Sequence, residues 1–434
     1  MRKLLLILSS SLLFLSPFAH TEYSSLNMGL DYRLRGVAIK NNDIDGRTKD
    51  SLNYYSQQAR FYMRAWLNEN VEGSFRLQSI NIWGQEGNST LVTRYPKADG
   101  SPWVEEAYIH MPHFNKRMDL TIGRQPILIG DGLLVSDDEL GFNAFRAKVN
   151  LPWNLDLDLF TAKIADALGG HQDFDLHGSI FSWNQDYKQW QLGWIQESNS
   201  GTSDYLISGS TTAASLVKRT FYDLRLFGNL KDAYYKLEMA MQSGEATLTP
   251  SNQGITMKGL AQRLELGAQS DTQKYGRFGV KGIFSIGSGD DLGTPNRDEA
   301  FRPTFGRRWS GLQRTGNGTQ FGGTLSDSYN GNSPFDPAAT GLPSGISGIK
   351  TIGLGLFTVQ KVNWTGSLDY YTYESRTKPT GSNDLGSEVD IEATYRYTGF
   401  VNFNLGFASF FPGEIYGPNA STVTRYTLET HIHF

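Results

Sequence analysis

Residues 425–434 read RYTLETHIHF, with Tyr426, Leu428, Ile432 and Phe434 at even positions and Arg425, Glu429, His431 and His433 at odd ones. A period of two predicts a β-strand with one apolar and one polar face. The pattern runs to the last residue, where a chain normally frays unless something ties it down. Such a strand needs a partner.

The same rhythm recurs along the chain. In 26–36, LNMGLDYRLRG, Leu26, Met28, Leu30, Tyr32 and Leu34 share one face, and Asp31, Arg33 and Arg35 the other. Ala59, Phe61, Met63 and Ala65 alternate with Arg60, Tyr62 and Arg64, and Leu155, Leu157 and Leu159 with Asp156 and Asp158. Val401, Phe403, Leu405 and Phe407 stand opposite Asn402 and Asn404. About eighteen such segments occur, an even number within the range of single-chain outer-membrane barrels, and no long stretch carries a helical stripe. Connections alternate in length. Long ones fall near 41–53, 86–102, 126–141, 165–173, 198–217, 246–256, 288–348, 375–384 and 412–422, and short ones near 69–70, 113–116, 151–153, 184–186, 231–232, 271–275, 361–362 and 398–399. The expectation is an all-β transmembrane antiparallel barrel with long extracellular loops, short periplasmic turns and both termini in the periplasm. In lipid every backbone N–H and C=O needs an internal partner, and a closed barrel supplies one without leaving an edge. The last strand then pairs with the first.

Bulk composition agrees. The 434 residues are only 39% hydrophobic with a mean hydropathy of -0.39, so a bundle of membrane helices is excluded. The one long apolar run follows Arg2 and Lys3, and with the small residue Ala19 it reads as a signal peptide over 1–19. Residues 20–434 are then a single barrel domain. The absence of cysteine removes a disulfide framework and, with no His/Cys cluster, a structural zinc site. The net charge of -4 gives no support for a nucleic-acid partner. Tyr54, Tyr55, Trp83, Trp103, Trp153, Trp190, Trp364, Tyr370, Phe410, Phe411 and Tyr426 fall near strand ends, as an interfacial girdle requires.

The face opposite the apolar one is rich in guanidinium. Arg33, Arg35, Arg60, Arg64, Arg76, Arg146, Lys148, Arg225, Arg263, Arg277, Lys281 and Arg396 share the polar phase of their strands. An arginine facing lipid near the bilayer midplane costs about 2–4 kcal/mol, which favours the inward assignment. Arg33, Arg35, Arg60, Arg64 and Arg76 on neighbouring strands would form a positive wall, suited to carboxylates and anion selection. Acids share that phase, among them Asp31, Glu72, Glu106, Asp158, Glu238, Glu265 and Glu388, so cross-strand neutralisation that braces the wall stands beside the anion-attracting reading.

Other signals are weaker. His431 and His433 at i, i+2 fit lumen-lining residues better than a metal pair. NNDIDG (41–46) resembles half a calcium loop, lacks its distal Glu and reads as a turn. Asp131, Asp137, Asp138 and Glu139 gather in GDGLLVSDDELG as a solvated loop. There is no nucleophile elbow and no phosphate loop, so neither an enzyme nor a bound cofactor is expected.

Two stretches resemble the alginate-export family of outer-membrane proteins. Residues 104–149 hold Glu106-Ala107-Tyr108, Gly123-Arg124-Gln125, Gly130-Asp131 and Phe142-Asn143 before Arg146; residues 385–417 hold Gly386, Glu388 and Asp390, then Phe410 to Gly413. The resemblance implies an 18-stranded barrel of a Gram-negative outer membrane, conducting a polyuronate by diffusion through a pore lined by Arg and Lys. It makes Arg124 and Arg146 candidate contacts for a carboxylate. Alternation from Leu120 and Ile122 points Arg124 outward, so a bulge at Gly123 or the break at Pro126 would have to turn it in. The family's long periplasmic turn near the C-terminal strands has no counterpart at the tight connection Thr398-Gly399. Phe434 resembles the terminal signal read by the barrel-assembly machinery. The expectation is a monomeric, passive channel in outer-membrane lipid for an anionic saccharide or small organic anion. The alternative is a loop-plugged barrel acting as a surface adhesin or scaffold.

Overall fold

A computed structural model of the chain describes residues 25–48, 50–83, 100–137, 140–165, 173–206, 213–248, 251–272, 276–291, 293–294, 296–304, 318–319, 321, 346–359, 363–377 and 381–434. The expected signal peptide, and Asp138 and Glu139, lie outside them. The alternating segments form β1 (Ser25–Lys40), β2 (Ser51–Asn68), β3 (Val71–Ile82), β4 (Trp103–Met111), β5 (Met118–Gln125), β6 (Phe142–Leu151), β7 (Leu155–Ala165), β8 (Phe174–Gln185) and β9 (Lys188–Leu206). They continue as β10 (Ala213–Leu230), β11 (Ala233–Leu248), β12 (Gln253–Thr272), β13 (Gly276–Gly287), β14 (Ile349–Val359), β15 (Trp364–Ser375), β16 (Asp384–Arg396), β17 (Val401–Pro412) and β18 (Val423–His433). Each pairs antiparallel with its neighbours in sequence, and β18 returns to β1 from Asp31↔His433 to Lys40↔Thr424. The result is a closed barrel of eighteen strands, with one two-residue strand, Arg297–Asp298, laid parallel to β12 inside the same sheet.

The C-terminal strand is held as the opening pattern demands. The Phe434 N–H donates to the Leu30 carbonyl at 3.0 Å, and the Leu30 N–H donates to the Phe434 carbonyl at 2.8 Å. An even number of antiparallel strands brings both ends to one rim. Strands β9 to β12 are longer than the sequence pattern indicated: the polar stretches 198–206 and 253–256, expected in loops, continue the hydrogen-bonded ladder.

Outside, the alternate side chains are large, apolar and exposed, Leu26, Met28, Phe145, Leu354, Leu405 and Leu428 among them. Tyr55, Trp83, Trp153, Trp190, Trp364, Tyr370, Phe411 and Tyr426 join that surface. Three residues expected in the girdle do not. Phe410 is fully buried on the inner face and Tyr54 packs beside it, because each is the immediate strand neighbour of an outward aromatic and must face the other way. Trp103 is half-buried against Ile80 and Ile82.

The interior is partly filled. The connection 126–141, expected as an external loop, folds inward over 127–137 as a small hairpin, with the Ile129 N–H on the Val135 carbonyl at 3.0 Å and the Asp137 N–H on the Ile127 carbonyl at 3.1 Å. Its Ile127, Ile129, Leu133, Leu134 and Val135 are buried against Phe142, Phe160, Leu176, Ile180, Ile195, Phe221 and Phe301. Water would solvate those five side chains poorly, and the apolar patch on the inner wall accepts them. The connection 288–348 also turns in where it is described: Phe301 joins the same cluster, while Phe321 and Ile346 pack with Val37, Ile39, Tyr371, Tyr373, Leu385, Phe410 and Val423.

A charge placed on the outer face at mid-strand meets lipid rather than water. Leu354, 66% exposed at the middle of β14, is expected to cost about 2–4 kcal/mol when changed to Arg. Reversible urea unfolding in lipid vesicles reads this directly, and an unchanged midpoint would contradict the lipid-facing assignment.

Candidate functional site

The charged lumen starts where the polar phases of β1 to β4 face one another. On the seam, Arg35 Nε donates to Glu429 Oε2 at 2.8 Å, and Asn404 Nδ2 donates to Glu429 Oε1 at 2.8 Å. Arg33 Nε lies 3.6 Å from Asp31 Oδ1, and His431 Nε2 lies 3.0 Å from Asp31 Oδ2. Next along the wall, Arg60 Nε is 3.2 Å from Glu105 Oε2, and Arg76 Nη1 is 3.1 Å from Glu105 Oε1 and 2.6 Å from Glu106 Oε1. Arg64 Nε reaches Glu72 Oε1 at 3.8 Å.

Two consecutive acids can face one side of a strand only if the ladder is interrupted. The register of β3 with β4 shifts between Arg76 and Leu77, and this bulge turns both Glu105 and Glu106 inward. Glu105 lay outside the sequence-based set of lumen acids. The doublet in VEEAY, which breaks the alternation, was its only trace.

Further round, Arg146 grips Asp158 with Nε at 2.9 Å and Nη2 at 2.5 Å, a two-pronged contact, and its Nη1 donates to the Pro126 carbonyl at 3.3 Å. It thus ties the base of the inward hairpin. Lys148 stands opposite Asp119 on β5 and Asp158 on β7. The hairpin tip is held across the lumen, where Arg225 Nη2 lies 2.8 Å from Asp131 Oδ1 and the Asp131 N–H donates to Glu238 Oε2 at 3.1 Å. Asp131, read as part of a solvated loop, is therefore a wall contact. Arg263 Nη2 is 3.0 Å from Glu265 Oε2, Lys236 Nζ is 3.5 Å from Glu265 Oε1, and Lys281 Nζ is 2.8 Å from Asp369 Oδ1. Arg396 ends β16, exposed at the rim that carries the termini.

The candidates thus separate. Arg33, Arg35, Arg60, Arg64 and Arg76 share one wall; Arg146 and Lys148 follow on β6, and Arg263 lies on the opposite wall. Arg124 does not join them. Its register runs unbroken opposite Ala107 and Asn143, so it keeps the outward phase, and its Nη2 donates to the Leu140 carbonyl at 2.5 Å. Gly123 has φ +120°, yet no bulge forms there to turn the next residue.

These pairs are unequal. Arg76 is 24% exposed against 2% for Glu105 and 4% for Glu106, Arg64 is 42% against 16% for Glu72, and Lys281 is 22% against 10% for Asp369. Lys236 and Arg263 likewise stand in front of Glu265. The carboxylates lie against the wall and the cations reach into the lumen. Arg146–Asp158, Arg225–Asp131 and Arg35–Glu429 lean the other way. A solute passing the first set meets N–H donors before it meets oxygens.

The family model described as "Alginate export" matches residues 24–318, so the second sequence block, 385–417, lies beyond the match. No curated protein matches the chain. Among solved structures, OccK9 (OpdG) of Pseudomonas aeruginosa is similar with a TM-score of 0.57 at 11% identity, over 95% of this chain and 99% of that one. OccK2 (OpdF) of the same organism, solved in complex with glucuronate, gives 0.55 at 13%, over 94% and 96%. OpdK of Pseudomonas aeruginosa with vanillate gives 0.52 at 12%, over 94% and 99%. At such identities the likeness concerns the fold.

The inward segment 288–302 carries its own titration. Asp290 Oδ1 accepts the Glu299 N–H at 3.2 Å, the Asp290 N–H donates to Ser347 Oγ at 2.8 Å, and Arg302 Nε is 2.9 Å from Asp298 Oδ2. Burial, then the neighbouring Asp298 carboxylate, push the Asp290 carboxyl up to about 7. A raised carboxyl stabilises the packed segment fully below its unfolded pKa of about 3.9, and that contribution is lost as pH rises through about 7. Protection factors for amide exchange in this segment, taken relative to the intrinsic base-catalysed rate, are expected to fall as pH rises from about 4 to about 7 and then level off, and Asp290→Asn to flatten that fall. A pH-independent protection factor in the wild type would refute it.

Proposed function

This chain belongs to the alginate export family, and on that premise we propose that it is a passive channel for anionic saccharides or small organic anions, selected by the inward arginines. It is an outer-membrane β-barrel, and no step of its action calls for a catalytic group. The observation that carries the proposal is the order of charges in the wall. Arg64, Arg76, Lys236, Arg263 and Lys281 are each more exposed than the carboxylate that neutralises them.

That order lets a balanced wall act as a positive one. An acid held behind a base keeps it oriented and offsets its desolvation, while the field at the lumen surface follows the nearer charge. Guanidinium also presents a planar fork to a carboxylate, so arginine gives orientation as well as attraction. Glucuronate and vanillate, bound by the similar barrels OccK2 and OpdK, are both carboxylates, which supports the same solute class here.

A second reading rests on the inward hairpin over 127–137 and on Phe301 of the long connection, which fill part of the lumen. In that reading the barrel is plugged and serves as an adhesin or scaffold.

Reversal potentials in planar bilayers under a salt gradient separate the two. The wild type is expected to prefer anions, with added glucuronate reducing the current. Arg64→Ala/Arg76→Ala is expected to lower the anion-to-cation permeability ratio by roughly two- to fivefold, the range that about 0.5–1 kcal/mol of lost attraction gives. Cation preference in the wild type would overturn the anion reading. A folded barrel without conductance would establish the plugged one.

A further inference from the structure

One contact inside the barrel has the form of an occupied binding site. Phe321, on the long connection between β13 and β14, stacks face to face on Tyr373 of β15, with ring centroids 3.9 Å apart and planes 20° from parallel. Its backbone N–H donates to Glu388 Oε2 at 2.8 Å. Two residues earlier, the Thr319 N–H and hydroxyl both donate to Asp390 Oδ2, at 2.8 and 2.9 Å. Tyr373 and Glu388 are almost wholly buried beneath this segment, and Tyr371 lies parallel behind Tyr373 at 6.2 Å. Gly318, at φ +91°, makes the close approach possible, since a Cβ there would stand 2.1 Å from the Tyr373 hydroxyl.

Without Thr319 and Phe321, the wall offers a flat aromatic face flanked by two carboxylates on the same strand. That is the chemistry by which proteins hold a sugar ring: apolar C–H groups on an aromatic face, with ring hydroxyls donating to carboxylate oxygens at the edge. The loop supplies the same complement in peptide form, a flat ring on Tyr373 and N–H and O–H donors on the acids. Arg425, fully buried nearby, lies within electrostatic reach of Glu388 and Asp390, so the pair accepts hydrogen bonds without also requiring a cationic ligand. A carboxylate on the ligand would be repelled.

We propose that Tyr373, Glu388 and Asp390 form a subsite for an uncharged saccharide ring, which Thr319 and Phe321 occupy in this structure as an internal competitor. This stands apart from the anion reading, because it lies on different residues and takes the opposite class of ligand.

The test uses the full-length barrel with maltotriose and cellotriose as uncharged probes. Block of the ion current is measured in bilayers and direct binding by calorimetry in detergent, so a silent channel still gives an answer. Phe321→Ala is expected to lower the half-saturating concentration at least tenfold relative to wild type. Thr319→Val, which keeps the aromatic stack and loses one hydroxyl bond, is expected to move it the same way by a smaller factor. Phe321→Ala/Tyr373→Ala and Phe321→Ala/Glu388→Gln should return to the wild-type value. Heat-shifted gel mobility checks that each variant is folded, and anion selectivity in the same bilayers reports on the transport reading separately. Equal saccharide affinity in wild type, Phe321→Ala and Thr319→Val overturns the proposal, as does full affinity in Phe321→Ala/Tyr373→Ala.

Discussion

Pairing of the backbone across the seam between β1 and β18 is the constraint on which the rest of the structure depends. Lipid offers no hydrogen bonds, so one unpaired edge would cost several kcal/mol for each exposed backbone group. Closure with antiparallel pairing throughout the wall makes the strand number even and brings the ends together, so that Phe434 is bonded to Leu30 in both directions. Once the wall is closed, alternation assigns every side chain to one of two solvents. The charged pairs of the lumen are a consequence of that assignment.

Pairing inside the lumen then solves a second problem. Cations crowded on β1 to β3 would repel one another if each stood alone, and buried carboxylates would be costly without partners. Glu105 serves two arginines, Arg60 and Arg76, from behind. The wall can thus be dense in guanidinium and still be stable. Its outward field depends on which partner stands in front.

Much of this was legible in the sequence because the period-two signal is strong and repeated. The strand number, the closure and the inward phase of Arg33, Arg60, Arg64, Arg76 and Arg146 all follow from it. What escaped were features that break the period. The bulge at Glu105 adds one residue and shifts a face, and alternation alone does not say which of two adjacent acids turns. Arg124 illustrates the reverse: family likeness placed it in the pore, whereas simple alternation had the correct phase. The inward hairpin carried a visible sign in PILIGDGLLV, too apolar for water, but nothing local shows that it packs on an inner wall reaching as far along the chain as Phe221 and Phe301. Phe410 and Tyr54 show that an aromatic at a strand end can face either way, and only the register decides.

The two buried clusters differ in what they require of the chain. The first draws all its fully buried members from residues between Ile127 and Phe301, contributed by β6 to β12 and the inward segments. The second joins Val37 of β1 to Val423 of β18 across the seam. The first lies wholly within one run of neighbouring strands, whereas the second is complete only once Val37, Ile39 and Ile44 meet the residues of β13 to β18. Closure links residues nearly four hundred apart in sequence, so the contact with the largest loop-closure cost is also the one that removes the last unpaired edge and completes the second cluster.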